Sequence, residues 1–129
     1  MELNMINDTQ SQIQPFETQA HIFKALTHPA RLAILELLRD GESCVCHIEA
    51  YLGLRQAYIS QQLAVLRDSG LIQDRRDGWN IYYRVIDPRI FEVLDVVQKL
   101  TGRIIPDIHR SGFHCSCPRC LAEQQASDQ

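Results

Sequence analysis

No run of apolar residues in this chain approaches the roughly 20 needed to cross a bilayer, which excludes a membrane-spanning helix. The N-terminus lacks the basic start and apolar core of a secretory signal, so the chain reads as cytoplasmic with no membrane partner. An even cysteine count, the mark of a disulfide framework, is missing as well. There are five, which reads as reduced thiols available as ligands. No alternation of strands and helices of the parallel-sheet kind is visible, and with it goes the usual frame of a thiol oxidoreductase. Excess positive charge is also lacking. The formal net charge is −3, which taken alone disfavours a polyanionic partner.

The distribution of charge changes that last inference. Between Gly53 and Arg84 stand five arginines (Arg55, Arg67, Arg75, Arg76, Arg84) against three acids (Asp68, Asp74, Asp77), so this stretch is locally basic. With 129 residues and 45% hydrophobic content, the chain has the length and composition of one globular domain.

Residues 1–15 are rich in Asn, Gln and Ser without sustained periodicity, and read as a flexible arm or a frayed helix. From Phe16 the spacing of Phe16, Ala20 and Phe23 predicts a helix. A second begins near Pro29, a first-turn position, carries Ile34, Leu35 and Leu38 on one side, and stops at Gly41. Val45, Ile48 and Leu52 mark a short third helix closed by Gly53. Only Leu54 and Arg55 precede the next helix, whose apolar face is Ile59, Leu63 and Leu66 and which ends at Ser69-Gly70. Two helices joined so tightly make a helix-turn-helix unit.

Leu71-Ile72 and then Ile81, Tyr83 and Val85 have strand composition, with Asp77-Gly78 as a hairpin signal between them. The expected product is a two-stranded wing bearing Arg75, Arg76, Trp79 and Asn80 near its tip; Trp79 there either meets a partner or packs on its own strands. Asp87-Pro88 opens a last helix running to about Thr101-Gly102. Its apolar residues, Ile90, Leu94 and Val97 among them, cover more than one face, which predicts burial against a second copy of the chain. The fold class expected is therefore mainly α with a β-hairpin wing, a dimeric winged helix-turn-helix over 16–101. Residues 102–129 form a polar, cysteine-rich tail.

The element order, the run Phe23-Lys24-Ala25-Leu26-Thr27-His28-Pro29-Ala30-Arg31-Leu32, Ser60-Gln61-Gln62-Leu63 and the segment Leu66 to Ile72 together resemble the ArsR/SmtB family of metal-responsive repressors. The wing ending Tyr82-Tyr83-Arg84-Val85 belongs to the same likeness, which spans about two thirds of the chain. The resemblance implies a non-enzymatic homodimer that sits on double-stranded operator DNA and leaves it when an effector binds. In a helix-turn-helix the second helix enters the major groove, N-terminal residues foremost. Here it offers Gln56, Ala57, Tyr58, Ser60 and Gln61. Glutamine can pair with adenine through two hydrogen bonds, and serine with a base or a phosphate. Arg67 of that helix and Arg75, Arg76 and Arg84 of the wing are expected to contact phosphate or the minor groove.

The cysteines form two groups, Cys44-Val45-Cys46 and Cys115-Ser116-Cys117-Pro118-Arg119-Cys120. On a regular helix side chains two apart diverge by about 200°, whereas at a helix entry they can converge. The segment from Glu42 to Ile48 resembles the metal-binding motif of the family's arsenic and cadmium repressors. It departs in having Glu49 where the best-known arsenic repressors have a third cysteine, and in having no cysteine in the N-terminal arm. The inducers implied are As(III) foremost, or Cd(II), Pb(II) or Zn(II), with Cys115, Cys117 or Cys120 completing the thiolate set of Cys44 and Cys46. Other readings are a separate zinc knot in the tail, with His109 or His114, and a redox response of Cys117 and Cys120 or of Cys44 and Cys46. Cys44 and Cys46 packing as simple core residues is a further one. The family's other metal site, built from Asp and His of the last helix, is missing, since no histidine lies between Asp87 and Gly102. A thiol oxidoreductase or a metal carrier is the alternative from a different class.

Overall fold

The computed structural model describes residues 2–105 together with 121, 122 and 125, with side chains from residue 11 onward. Among residues 2–105 the elements follow in the order α1 (Glu2–Ala25), α2 (Pro29–Leu37), β1 (Ser43–Cys44), α3 (Val45–Leu52), α4 (Gln56–Asp68), β2 (Ile72–Asp77), β3 (Asn80–Val85) and α5 (Arg89–Thr101). The stretch read as an arm or frayed helix is helical from Glu2. It crosses Pro15, which has no amide proton for the carbonyl four residues back.

The stripes of α2 and α4 become the core, whereas Phe16, Ala20 and Phe23, whose spacing marked the first helix, stay exposed along α1. Ile34, Leu35 and Leu38 of α2 meet Ile48 of α3 and Ile59, Leu63 and Leu66 of α4, and Leu71, Ile72, Tyr83, Ile90 and Phe91 close the cluster. Among the described residues the one buried polar side chain is that of Gln62 in α4. The Arg31 guanidinium explains it, donating to Gln62 Oε1 at 2.8 Å and to the last carbonyl of α1, Ala25, at 2.6 Å. A single cation thus caps one helix and ties it, through α2, to the helix expected to read DNA.

Gly53 adopts the left-handed conformation (φ 63°), and its amide returns to Glu49 O at 2.9 Å. That ends α3 and lets α4 start three residues later. In the hairpin the two-residue turn is Gly78-Trp79, with Asp77 paired to Asn80 and a positive φ (61°) at Gly78 alone, the pattern of a II′ turn.

One element departs from the two-stranded wing expected. β1, only two residues long, pairs antiparallel with β3, Ser43 opposite Tyr83 and Cys44 opposite Tyr82, so the sheet has three strands in the order β1-β3-β2. Two residues are too few to show a period of two in sequence.

α5 opens one residue later than expected, with Pro88 and not Asp87 as its N-cap and Arg89 as its first residue; the Asp87 carboxylate just ahead accepts the Arg89 amide at 3.0 Å and pairs with the Arg89 side chain at 2.6 Å. Those bonds pull the Asp87 pKa down to about 2. Arg39, at the end of α2, holds α5 in place by reaching Glu36 (2.7 Å) and Asp95 (2.8 Å) while lying over the Phe91 ring. Of the three residues assigned to a dimer face, Ile90 is a correction. It is 7% exposed and belongs to the chain's own core. Leu94 is half-buried against that core, and Val97 is exposed with Val93, Val96 and Leu100.

Candidate nucleic-acid interface and thiol site

The helix-turn-helix presents the N-terminal half of α4 outward. Gln56, Ala57, Ser60 and Gln61 are exposed, while Ile59, Leu63 and Leu66 face inward. Tyr58 departs from the expectation of a free surface residue. It is half-buried, and its hydroxyl lies 3.2 Å from His28 Nδ1 at the entry to α2, because its place on the helix turns it toward that loop.

The four arginines differ sharply in what already holds them. Arg67, in the last turn of α4, faces Asp74 at 3.8 Å. Arg84 faces the side-chain amide of its cross-strand partner Gln73, whose oxygen accepts from it at 2.8 and 3.1 Å once the amide is turned to satisfy both groups. Arg75 is gripped most firmly. Both oxygens of Glu42 accept from it, one from Nε at 3.1 Å, and its guanidinium lies 4.8 Å from the centre of the Tyr82 ring. The Glu42 bond raises the Arg75 pKa further. Arg76, on the opposite face of β2, is exposed.

Strand register explains how Arg75 comes to guard the cysteines. Residues directly opposite on an antiparallel ladder share a face. Cys44 stands opposite Tyr82, and Tyr82 opposite Arg75, so the three form one row across β1, β3 and β2. The face carrying Tyr83 packs on the helices, and the reverse face carries Cys44, Tyr82 and, packed against them, Cys46. Glu42, two residues before Cys44, closes over the row by clasping Arg75.

Cys44 has an extended backbone (φ −75°, ψ 154°) and is the N-cap of α3, its sulfur accepting the His47 amide at 3.3 Å. That geometry turns it back over the first helical turn, and its Sγ lies 2.7 Å from Cys46 Sγ. The convergence expected of a helix-entry pair is therefore present. Cys44 is 2% exposed and Cys46 half-buried. A thiol pair at a helix N-terminus, with an amide donating to one sulfur, suits a soft cation or a thiophilic metalloid. Two sulfurs alone satisfy fewer positions than such ions accept. Among the described residues no group of three or more His, Cys, Asp or Glu side chains is placed to hold a metal. Cys115, Cys117 and Cys120, with His109 and His114, lie outside the described residues. Glu49, at the position of the missing third cysteine, has one buried carboxylate oxygen with no hydrogen-bond partner.

The clasp of Glu42 on Arg75, whose partners are 33 residues apart with no local signal, escaped the sequence reading. Trp79, which the sequence left between a partner contact and packing on its own strands, is 99% accessible at the tip of the wing.

Tightly joined α3 and α4 with an antiparallel wing behind them define a winged helix-turn-helix DNA-binding domain. Residues 28–74 match the model of the bacterial regulatory protein, arsR family. The HTH-type transcriptional regulator Rv0081 of Mycobacterium tuberculosis is 40% identical over 93 residues, covering 71% of this chain and 82% of that protein. Its crystal structure superposes with a TM-score of 0.62 over 68% of this chain and 89% of that one. The solution structure of the homodimeric winged helix-turn-helix DNA-binding domain Mb0332 of Mycobacterium bovis is 31% identical, with a TM-score of 0.62 over 74% of this chain and 93% of that one. The arsenic resistance transcriptional regulator ArsR1 of Pseudomonas putida is 39% identical over 79 residues, 60% of this chain and 61% of that protein. The chain belongs to the ArsR/SmtB family of DNA-binding transcriptional repressors, a non-enzymatic family. The oxidoreductase and carrier alternatives fall with that assignment. Among the described residues no helix is long and apolar enough to cross a membrane.

Proposed function

We propose that this chain is a cytoplasmic, homodimeric repressor that leaves its operator when a thiophilic ion, As(III) foremost, binds Cys44 and Cys46. What carries the reading is the approach of the two sulfurs to 2.7 Å at a point shared by the reading unit and the wing. Similarity to an arsenic resistance regulator favours As(III) over Cd(II), Pb(II) or Zn(II). The third thiolate comes from Cys115, Cys117 or Cys120.

Homodimerisation is supported by the apolar surface of α5. Leu94 and Val97 line, with Leu32 and Ala33 of α2, an open groove of about 400 Å³, and Val93, Val96 and Leu100 of the same helix are exposed as well. A surface of that kind on one small domain calls for a partner, and an isologous pairing brings two reading helices to successive major-groove faces. Gln56, Ser60 and Gln61 then read bases, with Tyr58 fixed against His28, while the wing arginines add phosphate contacts.

Ligation acts on residues that already touch both DNA-binding elements. A bound ion ties the sulfurs of the α3 entry together. Movement of Cys44 displaces β1, and β1 is hydrogen-bonded to β3 of the wing, with Tyr82 and Arg75 next in the row. α3 also leads through Gly53 into α4, so reading helix and wing shift together. Allosteric coupling of ~1–3 kcal/mol, about 5- to 150-fold in affinity, is enough for graded release.

The test is titration of the full chain with arsenite, Cd(II), Pb(II) and Zn(II) under ultraviolet absorption. Thiolate-to-ion charge-transfer bands are expected for the inducer, saturating stoichiometrically and disappearing in the Cys44→Ser/Cys46→Ser variant. Absence of such bands with every ion contradicts the reading. Mass spectrometry separates ion binding from a redox response of the same pair: oxidation removes two hydrogens and adds no ion.

A further inference from the structure

The chain has a single tryptophan, and it stands where it touches almost nothing, 99% accessible in the turn of the wing. Folding usually hides much of a side chain of this size, so an indole left wholly in water is available to be buried by a partner. The wing is paired up to that point. β2 and β3 remain in register from Ile72 opposite Val85 to Asp77 opposite Asn80, and Gly78 alone supplies the positive φ that a two-residue turn requires.

Among the described residues, the neighbours of Trp79 in the hairpin are polar: the exposed Arg76, the half-buried Asn80, and Asp77, whose charge is offset by Arg75 Nη1 at 3.9 Å. A flat protein partner would gain little from one projecting ring. A narrow negatively charged groove fits better, because it takes a single flat side chain edgewise and draws in the neighbouring guanidinium.

We propose that Trp79 is a DNA contact: it enters the minor groove beside the half-site read by α4 and stacks on or wedges at a base step. The inference rests on the operator-binding reading and adds to it a sequence preference of a second kind. An aromatic wedge favours steps that unstack readily, such as TA and CA/TG, without reading any base edge. Arg76, on the same tip, supplies phosphate attraction, and Trp79 supplies shape dependence.

Because Trp79 is the only tryptophan, its fluorescence reports this site alone. The full chain is titrated with a dye-labelled duplex covering the region upstream of its own gene, and with an unrelated duplex at low salt. Dye anisotropy follows binding, while indole emission and its quenching by neutral acrylamide follow Trp79. The expected result is quenched emission and a several-fold fall in acrylamide access as the anisotropy rises. Trp79→Ala is expected to weaken binding about five- to a hundred-fold with an unchanged salt slope, since no charge is removed, and with unchanged thermal stability. DNA binding with unaltered emission and acrylamide access overturns the inference while leaving the repressor reading in place. Acrylamide protection already present without DNA also overturns it, since the indole is then buried in a protein contact. Failure to bind either duplex removes both readings.

Discussion

Arg75 and Arg76 are neighbours on one strand, and the structure predicts that they contribute unequally to DNA binding. Arg76 is exposed, so a phosphate that meets it displaces water and salt ions. Arg75 is already held by both oxygens of Glu42 and lies over Tyr82. A phosphate must take it from a carboxylate. Exposed ion pairs are individually weak, but two-point geometry strengthens this one. The exchange therefore leaves Arg75 a smaller gain from a phosphate than Arg76. The salt dependence separates them more clearly. Losing one phosphate contact lowers the slope of log K against log salt by about one. Arg76→Ala is expected to show that drop, and Arg75→Ala far less. Glu42→Gln, which keeps the shape and removes the charge, frees Arg75 and raises the slope toward one additional contact. The assay is anisotropy of a labelled operator duplex over a series of salt concentrations. Equal slopes for Arg75→Ala and Arg76→Ala, or a Glu42→Gln slope unchanged from wild type, refute the reasoning.

Arg31→Ala leaves Gln62 buried without its donor and the end of α1 bare, and a loss of ~2–3 kcal/mol in urea unfolding at fixed protein concentration is expected; Arg31→Ala/Gln62→Leu recovers part of it, and a loss under ~0.5 kcal/mol contradicts the role of Arg31. Val97→Glu puts a charge on the apolar face of α5 and is expected to give monomers that bind DNA poorly, so a dimer unchanged in sedimentation rules that face out. Asp87 is held down to a pKa of about 2 by Arg89, so its contribution is fully present above the ordinary carboxylate value and fades as pH falls from about 4 toward 2. Asp87→Asn is accordingly expected to melt below wild type at neutral pH and alongside it near pH 2; a gap that persists there argues against the assignment.

The elements that carry periodicity were readable from sequence. Ile34, Leu35, Leu38, Ile59, Leu63 and Leu66 recur at helical spacing, and all are buried where that spacing puts them. The wing was readable from its glycine turn. What escaped has no period. β1 is two residues long, and the clasp of Glu42 on Arg75 joins residues whose charges look like ordinary surface charges in sequence. Ile90 shows the limit of counting apolar residues on a helix, since a surplus says that something must cover α5 without saying which residues its own core takes. The Cys44 and Cys46 pair was legible because spacing of two at a helix entry has one geometric consequence. That the pair also belongs to the wing emerged only from the register of Cys44 opposite Tyr82.

The most direct test of the account is operator release by arsenite, followed by anisotropy for the wild type, for Cys44→Ser/Cys46→Ser and for a chain truncated before Cys115. The account predicts equal operator affinity for all three without arsenite, release of the wild type, and retention of both variants on DNA. Release of the double-serine variant at the wild-type arsenite concentration would contradict it.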